Sequence, residues 1–227
     1  MSTLKVSGID ACRGGWVAVT LSDGALAAVH AAATLADLLT DPPAAVVGVD
    51  MPLGLLTAGW RACDRAAARL LGPRRSSVFA IPPRPVWEQP TYAAANALCK
   101  ELTGKGMSAE AYGLRAKLLE ANAYRETCGY PLHEVHPELA FAAMAHAPLA
   151  DSKHTPAGRD QRRELLTAQG IVIPVPVPGS RPPAPVTDTL DAAAVAWSAH
   201  RIAAGTAQTV PGDPQPDDRG RPIAIRY

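Results

Sequence analysis

Leu4-Lys5-Val6-Ser7-Gly8-Ile9-Asp10-Ala11-Cys12-Arg13-Gly14-Gly15-Trp16 carries the first apolar run of the chain, ends it on a carboxylate and turns it at two glycines. A carboxylate at the end of a buried strand loses its hydration and is expensive unless something cationic meets it. Asp10 therefore needs a partner. Working outward, Val6 to Asp10, Trp16 to Leu21 and Ala25 to Ala31 are short apolar runs separated by Gly14-Gly15 and Ser22-Asp23-Gly24. Asp-Gly between such runs is a strong hairpin signal, so the spacing predicts an antiparallel three-stranded meander. Thr34 opens a brief helical pattern that stops at Asp41-Pro42-Pro43. The Val-rich run that follows, through Gly48-Val49-Asp50, reads as a strand buried on both faces and again closes on an aspartate. Meander, helix and buried strand make an α/β plan.

Further along, residues 60 to 71 read as a helix closed by Gly72-Pro73, and residues 74 to 90 are Pro-rich and irregular. Ser108 can cap a long helix over 109 to 126, Gly129 follows, and "LHEVHPE" is strand-like. A helix over 158 to 169 ends at Gly170. The prolines of "IVIPVPVPGSRPPAPV" forbid helix and remove ladder donors, which makes this stretch an edge or a connector. An alanine-rich helix from Thr189 to Ala204 and a tail with a turn and a terminal strand complete the chain.

At 227 residues and 48% hydrophobic, the chain can bury a sizeable core, and the reading is one domain over 1–227 with an irregular Pro-rich and helical insertion around 72–128. Its 22 Lys and Arg against 21 Asp and Glu leave a formal charge of +1. There is no global field of the kind that draws a protein onto nucleic acid, so any anion binding is local. Cys12, Cys63, Cys99 and Cys128 lie far apart with no Cys-x-x-Cys pair and no secretory leader before them, which reads as a reduced, cytoplasmic chain. No apolar run approaches the ~18–20 residues that span a bilayer, so no membrane partner is expected. The sequence leaves the oligomeric state open.

Asp10, Asp50 and Glu138 occupy comparable places at the ends of strand-like runs, and carboxyl ends of neighbouring strands converge on one crevice. In the last helix, Asp188, Val195 and Ile202 fall on a seven-residue repeat and Asp191 lies four before Val195, so both aspartates sit above an apolar stripe that must face the sheet. Clustered carboxylates repel and cannot all stay ionised without a cation. Hard oxygen donors with no His/Cys set select Mg2+ or Mn2+ over zinc. Two such ions clamp the attacking and leaving oxygens of an in-line displacement at phosphorus, which is phosphodiester hydrolysis chemistry.

"GIDACRGGWVAV", "VDMPLGL", "RACDRAAARLLGPRRSSVFAIPPR", "HEVHPELAF" and "DTLDAAAVAWSA" together resemble the family catalogued as domain of unknown function 429, a group of predicted nucleases with an RNase H-like fold. The likeness runs over nearly the whole chain, with five motifs in one order. It implies an RNase H-like mixed sheet, an antiparallel meander joined to parallel strands and flanked by helices. It also implies an acidic metal cluster at one end of that sheet. By motif, Asp10 and Asp50 match metal-ligating aspartates, Glu138 matches the acid after His-Pro, and Asp188 or Asp191 matches the acid of the closing helix.

Several residues carry rival readings. Asp188 can simply cap the last helix with Asp191 at N3, which favours Asp191 as the ligand. Arg61, Arg65 and Arg69 recur every four residues and are expected to form a solvated helix face. Arg74, Arg75 and Ser76, beside a glycine-proline break, offer donors to a substrate phosphate. His136 is expected to share a strand face with Glu134 and Glu138, either to move a proton or orient a carboxylate or as a satisfied structural histidine. Lys153 in "DSKHTPAG" can neutralise a phosphate or be an ordinary loop lysine. No motif ties a histidine to Cys12, which argues against a thiol nucleophile.

The reading is a hydrolase acting on nucleic acid or a small phosphate ester, with Asp10, Asp50, Glu138 and Asp191 in the reaction and Asp10, Asp50, Asp188 and Asp191 toward metal. An ATP-using phosphotransferase of the actin and sugar-kinase kind also begins with "GID" and a glycine turn, but it needs a second such lobe. A non-catalytic scaffold that docks partners on 74 to 90 is the remaining alternative.

Overall fold

The computed structural model describes residues 3–40, 44–129, 131–175 and 182–227. In chain order its elements are β1 (Lys5–Cys12), β2 (Gly15–Ser22), β3 (Ala25–Ala32), α1 (Leu35–Leu38), β4 (Val46–Val49), α2 (Ala62–Leu71), a 3₁₀ helix (Gly72–Ser77), α3 (Arg84–Trp87) and α4 (Tyr92–Thr103). Then follow α5 (Ala109–Gly113), α6 (Arg115–Thr127), β5 (Leu132–Glu134), α7 (Pro137–Ala145), α8 (Pro156–Ala168), α9 (Val186–Ala203), β6 (Thr209–Val210) and β7 (Ile225–Arg226). They fall into two compact units. The first comprises Met1–Met51, Cys128–Gln208 and Arg226–Tyr227, and the second Pro52–Thr127 and Thr209–Ile225.

The first unit holds a five-stranded sheet in the order β3-β2-β1-β4-β5. The meander pairs antiparallel, with Asp10 opposite Val17. Parallel pairing takes over at β1–β4, where Gly8 faces Gly48, and at β4–β5, where Val49 faces Glu134. This is the mixed sheet the sequence predicts, and the order is consistent with an RNase H-like arrangement.

α9 covers one face of that sheet because both central strands offer glycine at the same level. A Cβ on Gly8 would stand 2.0 Å from the Ala196 nitrogen and 2.3 Å from the Ala192 oxygen, and one on Gly48 would stand 2.8 Å from Val195 Cγ1. The alanines of α9 and the valines of β1, β2 and β4 close a core to which α7 and α8 add Phe141, Met144 and Leu166. Burying one large apolar side chain is worth about 1.5–3 kcal/mol, so this face anchors the unit.

The second unit is mostly helical. Thr91 caps α4, accepting from the Ala94 amide at 3.3 Å, an element that the sequence reading left unassigned. The expected long helix over 109 to 126 is instead two, α5 and α6, interrupted at Leu114 directly after Gly113. Glycine weakens a helix interior by about 1 kcal/mol, which explains the break. The Pro-rich 74 to 90 stretch is partly ordered, holding the end of the 3₁₀ helix and α3, with Pro85 inside the first turn of α3, where its missing N–H costs nothing.

Other boundaries shift for local reasons. α9 begins at Val186, so Asp188 stands in its first turn rather than capping it. β5 stops at Glu134, and Pro137 starts α7, which puts Glu138 in a helix and removes the strand face expected for Glu134, His136 and Glu138. Of the proline stretch, 171–175 carries no strand ladder, while 176–181 lies outside the described residues, as does the break at 41–43. No described helix is long and apolar enough to cross a membrane.

Candidate functional site

In the first unit, β1 and β4 repeat one pattern, Gly8-Ile9-Asp10 beside Gly48-Val49-Asp50. Side chains alternate along a strand, so each aspartate lies on the face of its glycine, the face α9 covers. The two strands keep pairing to this point, since the Asp50 amide donates to the Ile9 carbonyl at 2.8 Å. Asp10 is 7% exposed. Among the described residues its carboxylate accepts no hydrogen bond from its own turn. Asp191, one residue before the Ala192 carbonyl that meets Gly8, is 1% exposed. α9 thus delivers its carboxylate beside the two strand ends.

The opposing charge comes from the loop before α8. Lys153 Nζ lies 2.6 Å from Asp191 Oδ2. Gly158 lets the loop come this close to its helix, because a Cβ there would stand 2.0 Å from the Ser152 oxygen. Thr155 completes the fold of the loop, its hydroxyl donating to the Ser152 oxygen at 2.9 Å and accepting from the Gly158 amide at 3.0 Å. The lysine is therefore an ion-pair partner within the site rather than an ordinary loop residue.

Glu138, half-buried in the first turn of α7, joins through Arg162, a fully buried arginine of α8. Arg162 Nη2 donates to Glu138 Oε1 at 2.5 Å, and Nη1 donates to the carbonyls of Gly158 at 2.9 Å and Asp151 at 3.2 Å. The guanidinium also lies over the Phe141 ring, 5.3 Å from its centroid. One side chain thereby ties Glu138 to the loop that carries Lys153. The sequence reading missed Arg162; its only local signal was an arginine at a core-facing position of an otherwise polar helix.

The electrostatics show that these groups sense one another. Burial, then Asp191 and Glu138, push Asp50 up to about 7, although Lys153 pulls the other way. Burial, followed by Asp50, Asp191 and Asp188, raises Asp10 well above the usual carboxylate range. Asp191 is raised by burial and Glu138 against the lowering effect of Lys153 and Arg162. For Lys153, burial disfavours the ammonium, but Asp191, Asp50 and Asp10 outweigh it and hold it firmly protonated. Two carboxylate oxygens, Asp191 Oδ1 and Glu138 Oε2, are buried without a hydrogen-bond partner among the described residues. Buried acceptors without donors cost about 1–3 kcal/mol each and mark where an additional positive group belongs.

The structure thus brings together Asp10, Asp50, Asp191, Glu138 and Lys153. Asp188 is half-buried one turn before Asp191 and reaches Asp10 only through its charge. His136 occupies the position just before α7. Arg74, Arg75 and Ser76 belong to the second unit, on its 3₁₀ helix, where Ser77 Oγ donates to the Arg74 carbonyl at 2.9 Å. Arg61, expected on a solvated face, is completely buried, with Nε 3.3 Å from Asp64 Oδ1 and both Nε and Nη2 on Cys63 Sγ.

Fold and site define an α/β protein with neighbouring carboxylates at the ends of two parallel strands and on a helix that closes over them. Residues 8–216 match the family described as protein of unknown function (DUF429), and the chain belongs to that family. No curated protein and no solved structure matches it.

Proposed function

We propose that the protein is a divalent-metal-dependent hydrolase of phosphodiester bonds, a nuclease-like enzyme, with Asp10, Asp50, Asp191 and Glu138 as its working residues. The observation that carries this reading is the electrostatic state of the cluster. Three interacting carboxylates, Asp10 and Asp191 buried and Asp50 half-buried, lie together with raised proton affinity, and among the described residues two oxygens, Asp191 Oδ1 and Glu138 Oε2, have no donor. A donor set of hard oxygens with that surplus of negative charge fits Mg2+ or Mn2+. Asp10, Asp50 and Asp191 would hold the ion, with Asp188 as an outer contributor of charge. When bound, such an ion polarises a phosphoryl oxygen and lowers the pKa of a bound water.

The chain's own residues supply the rest. Glu138, its Oε1 fixed by Arg162, keeps Oε2 available to accept a proton from an attacking water. Lys153 holds Asp191 in place and carries a positive charge toward which a substrate phosphate is drawn. The near-neutral total charge favours a short nucleic-acid segment or a small phosphate ester over a long footprint, which would need many Lys and Arg contacts to phosphate. The test is hydrolysis of a chromogenic phosphodiester with Mn2+. Wild type turns over, and Asp10→Asn and Asp50→Asn fall to the no-enzyme rate. Unchanged turnover in either variant rejects the assignment.

A further inference from the structure

The second unit contains a pocket of about 340 Å³ that none of the chemistry above uses. That volume lies within the roughly 300–1,000 Å³ typical of small-molecule sites. One face of α2 and the residues just before it supply Trp60, Arg61, Asp64 and Arg65, the extended chain after the 3₁₀ helix supplies Val78, and the loop after α4 supplies Lys105. The lining therefore combines an indole and apolar walls with three cations against a single acid.

That acid is already committed. Asp64 Oδ2 accepts from the Ile81 amide at 2.9 Å, and Oδ1 lies 3.3 Å from Arg61 Nε. Arg61 and Asp64 neutralise each other below the surface, while Arg65 and Lys105 stand exposed at the pocket with no ion pair among the described residues. The pocket is positive where solvent, and a ligand, can reach it.

Its walls are fixed in advance of any ligand. The bond from the Ile81 amide to Asp64 pins the extended segment to α2. The Lys105 loop is held by the Thr103 hydroxyl, which accepts from the Lys105 amide at 3.3 Å, and by Asn96 Oδ1, which accepts from the Met107 amide at 3.0 Å. Binding to a preformed site avoids most of the ordering cost that weakens association.

We propose that this pocket binds a small phosphorylated ring compound, for which a nucleoside monophosphate has the right size and chemistry. Arg65 and Lys105 take the phosphate, and Trp60 takes the flat face of the ring; stacking of a base on an aromatic side chain is worth about 1–3 kcal/mol and tolerates any base. The inference does not depend on the metal reading, because all of its residues lie in the second unit.

The test is isothermal titration of the full chain in EDTA with adenosine 5′-monophosphate and, separately, with inorganic phosphate. Wild type binds the nucleotide saturably and at least about tenfold more tightly than phosphate. Arg65→Glu with Lys105→Glu loses at least about tenfold in nucleotide affinity while melting as wild type does, since both side chains are exposed. Trp60→Phe weakens the nucleotide and leaves phosphate unchanged. Saturable nucleotide binding that survives the double charge reversal, equal affinity for the two ligands, or no saturable heat with wild type overturns the proposal. Asp10→Asn with Asp50→Asn binds the nucleotide as wild type does, so failure here is distinct from failure of the hydrolase reading.

Discussion

Lys153 Nζ stands 2.6 Å from Asp191 Oδ2, so a loop lysine and a helix aspartate thirty-eight positions apart hold the charged centre of the first unit together. With Asp191 1% and Lys153 36% exposed, the pair lies between the buried and surface regimes. Lys153→Met leaves Asp191 without its ion-pair partner and lowers stability in EDTA by about 2 kcal/mol, between the surface and buried limits. Urea denaturation with and without Mn2+ checks this, and the ion is expected to recover most of the loss.

The raised proton affinities of Asp10, Asp50 and Asp191 have a definite consequence for metal-free protein. An aspartate in the unfolded chain titrates near 3.9, whereas folded Asp50 titrates at about 7, so between these values the folded state holds more protons. The contribution of Asp50 is fully present at low pH and is lost as pH rises through about 7, and the raised affinities of Asp10 and Asp191 act in the same direction. Melting temperature in EDTA should therefore fall as pH rises from about 4 to about 7 and level off above that, and Mg2+ or Mn2+ should flatten the slope. Asp50→Asn should raise the metal-free melting temperature at about pH 8 by about 3 °C, on the scale of ~2–4 °C per kcal/mol for a chain of this size.

Arg162 is a positioning residue for Glu138. Arg162→Lys keeps the charge but cannot donate at once to Glu138 and to the Gly158 and Asp151 carbonyls, because an ammonium lacks the planar fork. Its kcat on a chromogenic phosphodiester should fall about tenfold with little change in KM, the pattern of a lost transition-state interaction. A rise in KM alone would assign Arg162 to substrate binding instead.

Gly8 is where α9 meets β1. With a Cβ only 2.0 Å from the Ala196 nitrogen, Gly8→Ala must push the helix off the sheet and carry Asp191 with it. The expected cost is about 3 kcal/mol, the upper end of ordinary overpacking, together with weaker Mn2+ binding, both measurable by calorimetry. Gly129, with no described atom within 4 Å of its missing Cβ and no left-handed backbone, serves as the control for helix packing.

What the sequence made legible was local. Alternation and Asp-Gly punctuation predicted β1 to β3, and the valine run predicted β4, so Asp10 and Asp50 could be placed at strand ends before any coordinates. Helical periodicity pointed to Asp188 and Asp191 alike, and of the two the structure buries Asp191. Elements whose partners are distant were not legible. Glu138 was read into a strand because "LHEVHPE" alternates, yet Pro137 opens a helix there. Lys153 and Arg162 reach their carboxylates across 38 and 24 positions, contacts that no periodicity encodes. The buried state of Arg61 escaped for a different reason: its spacing from Arg65 and Arg69 imitates a solvated face, although its guanidinium meets Cys63 and Asp64 two and three positions on.

Isothermal titration of the metal-free chain with Mn2+ is the most direct measurement of the central claim, that carboxylates from two parallel strands and the closing helix form one cation site. Wild type should bind the ion, and Asp10→Asn with Asp50→Asn should weaken it at least about a hundredfold, or ~2.7 kcal/mol. Equal affinity in the two proteins would contradict the account.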